Sequence, residues 1–167
     1  MASRVIFDPL VALRAAPLVS STCTLLFAWD QNLFLGMLNA PNTRKKSTPV
    51  LQSYFQTFFP RGLTMVLGFI AVSATTAVAN LRLNPNLLRA KGTFWWYAAG
   101  ASLSLGHLVY VPFVAPKLQA LMEAKEDTDL NDTLDSWLSL NWQRLLTTDL
   151  GAWIAFGIAV TGTLRTA

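Results

Sequence analysis

Four stretches of this chain stay apolar for about 20 residues, the length needed to cross a bilayer as a helix, and polar segments separate them. They predict spans over residues 15–38, 62–81, 93–115 and 137–164. The first is too long for a signal-peptide core and no small-residue cleavage site follows it, so it reads as a retained helix. Residues 39–60 are expected to be a loop, with Pro41, Pro49 and Pro60 as helix breakers and Arg44-Lys45-Lys46 as a basic cluster. Within that loop, the uncharged aromatic stretch 51–59 predicts a short helix lying in the membrane interface.

Residues 82–92 form a second, basic loop, with Asn84-Pro85 as its turn signal. After the third span comes the main polar region, with Glu123, Glu126, Asp127, Asp129 and Asp132. Leu118, Leu121 and Met122 predict that the third helix continues past the membrane as an amphipathic extension. Residues 133–144 are the amphipathic lead-in to the fourth span. The fold class is therefore all-α: an integral membrane four-helix bundle, one domain over 1–167, with an amphipathic extension between helices 3 and 4. Both termini fall on one side. Arg4, Arg14, Arg82, Arg89, Lys91 and Arg165 mark that side as cytoplasmic by a narrow margin. The expected location is the endoplasmic reticulum or another endomembrane.

Composition agrees with this layout. Of the 167 residues, 53% are hydrophobic and only 13% charged, against about 25% charged in soluble domains. The net charge of +4 is spread in short clusters between apolar runs, a topology signal and not a nucleic-acid footprint. The lone cysteine, Cys23, allows no intramolecular disulfide and reads as a small buried filler. A single histidine and two glutamates confined to one loop leave too few ligands for a zinc or carboxylate-bridged di-iron site. No glycine pattern suggests a phosphate cradle. The expected cofactor set is none, metal included.

The polar residues inside the spans fall at one end of the bundle. Adjacent spans run antiparallel, so Asp30, Arg61, His107, Asn141, Arg144 and Asp149 all come to the side of the first and third loops. Ionisable groups within a membrane are costly and usually face the bundle interior or a cavity, so the set predicts a pocket. Asn141 and Arg144, three apart, share a face with Trp137 and Thr148; Tyr110 shares one with His107. Asp149 stands seven residues after Trp142 on a different face, and is expected to line a side wall or meet another helix. A plainer reading competes: Arg144 snorkels to the interface with Asp149 as its partner, and the tryptophans and Tyr110 are interfacial anchors.

Two segments carry a resemblance. They are Gly106-His107-Leu108-Val109-Tyr110-Val111-Pro112-Phe113 running to Pro116-Lys117-Leu118-Gln119-Ala120-Leu121, and Trp137-Leu138-Ser139-Leu140-Asn141-Trp142-Gln143-Arg144. With the four-span layout, they resemble the membrane-protein family that includes the anthrone oxygenases of fungal aromatic polyketide pathways. The likeness is motif-like over residues 106–144 and one of layout elsewhere. It implies oxidation of an electron-rich aromatic secondary metabolite by molecular oxygen, anthrone to quinone, without metal or flavin. His107 would be the base, with Asp30 as the competing base. Arg144 with Asn141 would stabilise the enolate or peroxide anion. Trp29, Trp137 and Trp142 would stack on a planar substrate, and Tyr110 and Arg61 would help hold it. The partners implied are an apolar small molecule, oxygen and the lipid bilayer, with no nucleic acid. An isomerase or cyclase using the same pocket, or a non-catalytic membrane scaffold or accessory protein, are the alternatives.

Overall fold

The computed structural model describes residues 8–124 and 129–165. These form five helices and no strand: α1 (Pro9–Leu38), α2 (Arg44–Leu83), the short α3 (Pro85–Ala90), α4 (Phe94–Glu123) and α5 (Leu130–Leu164). The chain is all-helical, and α1, α2, α4 and α5 are each long and apolar enough to cross a membrane. Arg4, Lys125, Glu126 and Asp127 of the polar segments lie outside the described residues.

The expected loop over 39–60 is corrected by the structure. Only the turn at 39–43 is non-helical, and α2 runs through Pro49 and Pro60 for 40 residues. Each proline removes one i→i−4 hydrogen bond. Burial offsets that loss: Leu51 and Phe55, on one face of α2, pack into a core with Leu121, Leu134 and Trp137. The stretch read as an interfacial helix is thus a wall of this upper core. Pro112 and Pro116 are likewise accommodated within α4. A 3₁₀ turn over His107–Tyr110 precedes Pro112, and the helix resumes over Val111–Glu123. The continuation of the third long helix past residue 115 is present, with Leu118 and Leu121 buried.

Polar contacts at the chain's turns fasten this upper half. Asp129 caps α5 by accepting from the Asp132 N–H at 3.0 Å. The Asn131 side chain donates to Asn39 Oδ1 at 2.7 Å and accepts from Thr48 Oγ1 at 2.6 Å. Arg44 pairs with Asp132 and Asp135.

A second core occupies the other half, built from Ala77, Leu88, Tyr97, Ala152, Phe156 and Ala159. Small residues here let the helices approach closely. At Gly100 an added Cβ would stand 2.5 Å from the Phe156 ring, and Phe156 is fully buried with nowhere to move. Gly100→Ala is therefore expected to destabilise the bundle by about 1–3 kcal/mol through overpacking. Thermal unfolding in detergent would check this, and an unchanged midpoint would contradict it.

Candidate functional site

Between the two cores lies a cluster of buried polar side chains, and each long helix except α2 is irregular beside it. Alpha1 carries a π turn at Gln31–Leu35, α4 the 3₁₀ turn at His107–Tyr110, and α5 a π turn at Leu145–Asp149. Such departures inside long helices are frequent at functional sites.

The turn in α5 has a direct consequence. On a regular α-helix, residues five apart point about 140° away from each other. A π turn bonds i to i+5 and brings such residues back onto one face. Arg144 Nε accordingly donates to Asp149 Oδ2 at 3.2 Å. The other carboxylate oxygen, Asp149 Oδ1, meets His107 Nδ1 across the α4–α5 contact at 2.9 Å. Arg144 also donates through Nη2 to Asn141 Oδ1. The Asn141 amide donates in turn to the Ala28 carbonyl of α1 at 2.9 Å. Asn32, in the α1 π turn, donates to that same carbonyl at 3.1 Å.

His107, Asn141, Arg144 and Asp149 are all buried. The cation, the carboxylate and the imidazole are linked in a row, with Asp149 at its centre. A carboxylate paired with a guanidinium accepts at His107 Nδ1, so the ring proton sits there and Nε2 keeps a free lone pair.

Against this cluster stands a cavity of about 370 Å³, a size suited to a small-molecule site. His107, Arg144, Gln31 and Tyr110 are the polar residues at its lower end, and Phe58, Val114 and Trp137 are among its apolar walls. Among the described residues, no three Cys, His, Asp or Glu side chains gather closely enough to hold a metal ion. The one His–Asp pair already has a guanidinium beside it.

Over 148 residues the chain is 31% identical to the epoxidase pydX of an Acremonium species, covering 89% of this chain and 91% of that protein. It is 32% identical over 145 residues to the probable epoxidase scpX of Mollisia scopiformis, covering 86% and 91%. It is 26% identical over 151 residues to the oxaleimides biosynthesis cluster protein N of Penicillium oxalicum, covering 87% and 85%. This chain belongs to the family of the epoxidases pydX and scpX. No family model matches it, and no solved structure does. The names of the first two relatives carry epoxidation where the sequence resemblance implied anthrone oxidation.

In this epoxidase-family chain the structure joins some of the expected site residues and separates others. His107, Arg144, Tyr110 and Trp137 line the cavity, and Asn141 stands directly behind Arg144. The Tyr110 hydroxyl shares a hydrogen bond with Thr147 Oγ1 at 2.9 Å. Trp137 packs edge-on to Phe55 with centroids 5.9 Å apart, a wall more than a free stacking surface.

Asp30, Trp29, Trp142 and Arg61 are exposed on the outside of the bundle, and the cavity does not reach them. Asp30 ends the regular part of α1; the π turn that follows brings Gln31 and Asn32 inward instead. Trp29 and Trp142 form an edge-to-face pair, 5.5 Å between centroids, on the outer surface.

Two residues gain importance. Asp149, expected to line a side wall or meet another helix, does meet α4 through His107 and is also the hub of the cluster. Gln31 is buried, lines the cavity, and its Oε1 has no hydrogen-bond partner. A buried amide without partners is costly, and a substrate polar group would relieve that cost.

Proposed function

We propose that this chain is an oxygenase-type tailoring enzyme that epoxidises a carbon–carbon double bond of an apolar secondary metabolite, from a single four-span domain in an endomembrane. The observation that carries the chemistry is the pairing of a free imidazole nitrogen with a guanidinium at the closed end of an apolar cavity. A base and a fixed cation suit a substrate that is deprotonated and then reacts with oxygen itself. The epoxidase names of the relatives support the product class.

An electron-rich hydroxylated aromatic fits this pair. With a 1,4-dihydroxyarene, His107 Nε2 takes a phenolic proton and the anion passes an electron to oxygen. The radical pair joins at the neighbouring ring carbon as a peroxide. Loss of the second phenolic proton lets the next ring carbon attack the proximal peroxide oxygen. The O–O bond breaks and hydroxide leaves, taking a proton to become water. The balance is dihydroxyarene plus oxygen to quinone epoxide plus water, and the substrate supplies all four electrons that reduce the oxygen. Arg144, held by Asp149 and Asn141, faces the phenolate and peroxide charges. Gln31 and Tyr110 hydrogen-bond the substrate's oxygen atoms, and the tight cavity holds the ring in place.

The test uses purified protein in lipid nanodiscs with a 2-alkyl-1,4-dihydroxynaphthalene, a chelator and ¹⁸O₂, and no added reductant. Expected is one oxygen consumed per substrate and one ¹⁸O in an epoxide product, above the background of empty nanodiscs. Uptake equal to that background, or uptake that requires a metal or a nicotinamide reductant, would sink this mechanism.

A further inference from the structure

The residues around the cavity fall into a buried set and an exposed set. Gln31 of α1, Trp137 and Arg144 of α5, Gly62 of α2, and His107 and Leu118 of α4 are buried. The exposed ones are Leu63 of α2 and Val111, Ala115 and Gln119 of α4. The cavity therefore has its floor on α1, α5 and the His107 turn of α4, and its exposed residues lie where α2 and α4 face each other.

Depth places these exposed residues. From Arg144 to Leu164, α5 rises about 30 Å at 1.5 Å per residue, the thickness of a bilayer's hydrocarbon core. From Gly62 to Arg82, α2 rises by the same amount. Leu63 and Val111 thus lie just inside one edge of the hydrocarbon layer. The outer surface around them is apolar: Val109 is 67% exposed and Phe113 60%. The other end of the cavity, away from the hydrocarbon, is tied shut. Gln56 Nε2 and Gln52 Nε2 both donate to the Met122 carbonyl, at 2.8 and 3.2 Å, and lash α2 to the last turn of α4.

We infer that the cavity loads from within the bilayer, through the gap between Leu63 and Val111, and that its substrate is an apolar molecule dissolved in the membrane. The Gln52 and Gln56 clasp keeps the water side closed. The buried polar side chains of the cavity, His107, Gln31 and Arg144, gather at one end of it, where they would meet the polar groups of the substrate. This inference rests on the oxygenase reading only for treating the cavity as the substrate site, so its test reads occupancy and not turnover.

The probe is an anthracene bearing a diazirine, dissolved in phosphatidylcholine nanodiscs that hold the full chain, with photolysis under argon so that no oxidation is involved. Labelled peptides are mapped by mass spectrometry. Labelling is expected at residues 58–66 and 107–115. Leu63→Trp combined with Val111→Trp is expected to lower it at least ten-fold, and Leu63→Trp alone several-fold. Ile154→Trp, an equally exposed apolar site on α5, and Gln56→Ala are expected to leave it within two-fold. A sulfonated, water-soluble form of the probe is expected to label neither segment. Undiminished labelling in the double variant, or equal labelling by the sulfonated probe, would overturn the lateral route. Labelling as expected in a protein that consumes no oxygen would leave the route standing and reject the oxygenase reading alone.

Discussion

Asp149→Asn is expected to cost both stability and turnover, more than any other single change in the cluster. The carboxylate is 4% exposed and serves two partners, Arg144 at 3.2 Å and His107 at 2.9 Å. Removing its charge leaves the Arg144 guanidinium buried without a counter-ion, a loss of about 3–5 kcal/mol for a broken buried pair. The contrast is the ion pairing of Arg44 with Asp132 and Asp135, whose carboxylates are exposed. There Asp132→Asn is expected to cost at most about 1 kcal/mol.

The catalytic loss has a separate cause. An asparagine amide can donate to His107 Nδ1, which drives the ring proton to Nε2 and removes the lone pair the base needs. The wrong tautomer behind an intact geometry costs on the order of 10⁴ in turnover in a comparable Asp–His arrangement. The two effects come apart in the double variant Asp149→Asn with Arg144→Met. Stability should recover, because the unpaired buried charge is gone, while turnover stays lost. Unfolding in detergent and oxygen uptake together read the outcome. Recovery of both, or of neither, would contradict the assignment of Asp149 as a shared partner.

His107→Gln is expected to cut oxygen uptake by a factor on the order of 10²–10⁴, the usual worth of a positioned general base. Its effect on stability should be smaller than that of Asp149→Asn. Asp149 keeps Arg144, and the glutamine amide can still donate toward Oδ1, so the loss stays within about 1–3 kcal/mol for one buried hydrogen bond. In His107→Gly, added imidazole should restore part of the uptake by filling the space the ring leaves. A purely structural histidine would give no such rescue, and uptake by His107→Gln near that of the unmodified protein would remove His107 from the mechanism.

How far the site was legible differs residue by residue. His107 and Arg144 were readable because a histidine and an arginine within apolar runs stand out whatever the local geometry. Asn141 was readable by its spacing from Arg144, though its work is to hold Arg144 against the Ala28 carbonyl. Asp149 was readable as a partner for another helix or for Arg144, but not for both at once: a period of 3.6 residues puts it on a different face from Arg144, and nothing in Leu145-Leu146-Thr147-Thr148-Asp149 signals a π turn. Asp30 and Gln31 are adjacent, and only the π turn beginning at Gln31 settles which of them points inward. The continuation of α2 through Pro60 was hidden for a similar reason. Proline's local cost is visible in the sequence, while the burial of Phe55 against Trp137 that offsets it is not.

Hydropathy along the chain is enough to set the four apolar helices, their antiparallel order and the gathering of polar residues at one end. Those follow from hydropathy summed along the chain and from the fixed rise per residue, which need no knowledge of packing. The tertiary structure alone decided which of those polar side chains meet. Contact between helices depends on how each is rotated about its own axis, and two π turns and one 3₁₀ turn reset that rotation at the site. They bring Asp149 and Gln31 inward and leave Asp30 outside.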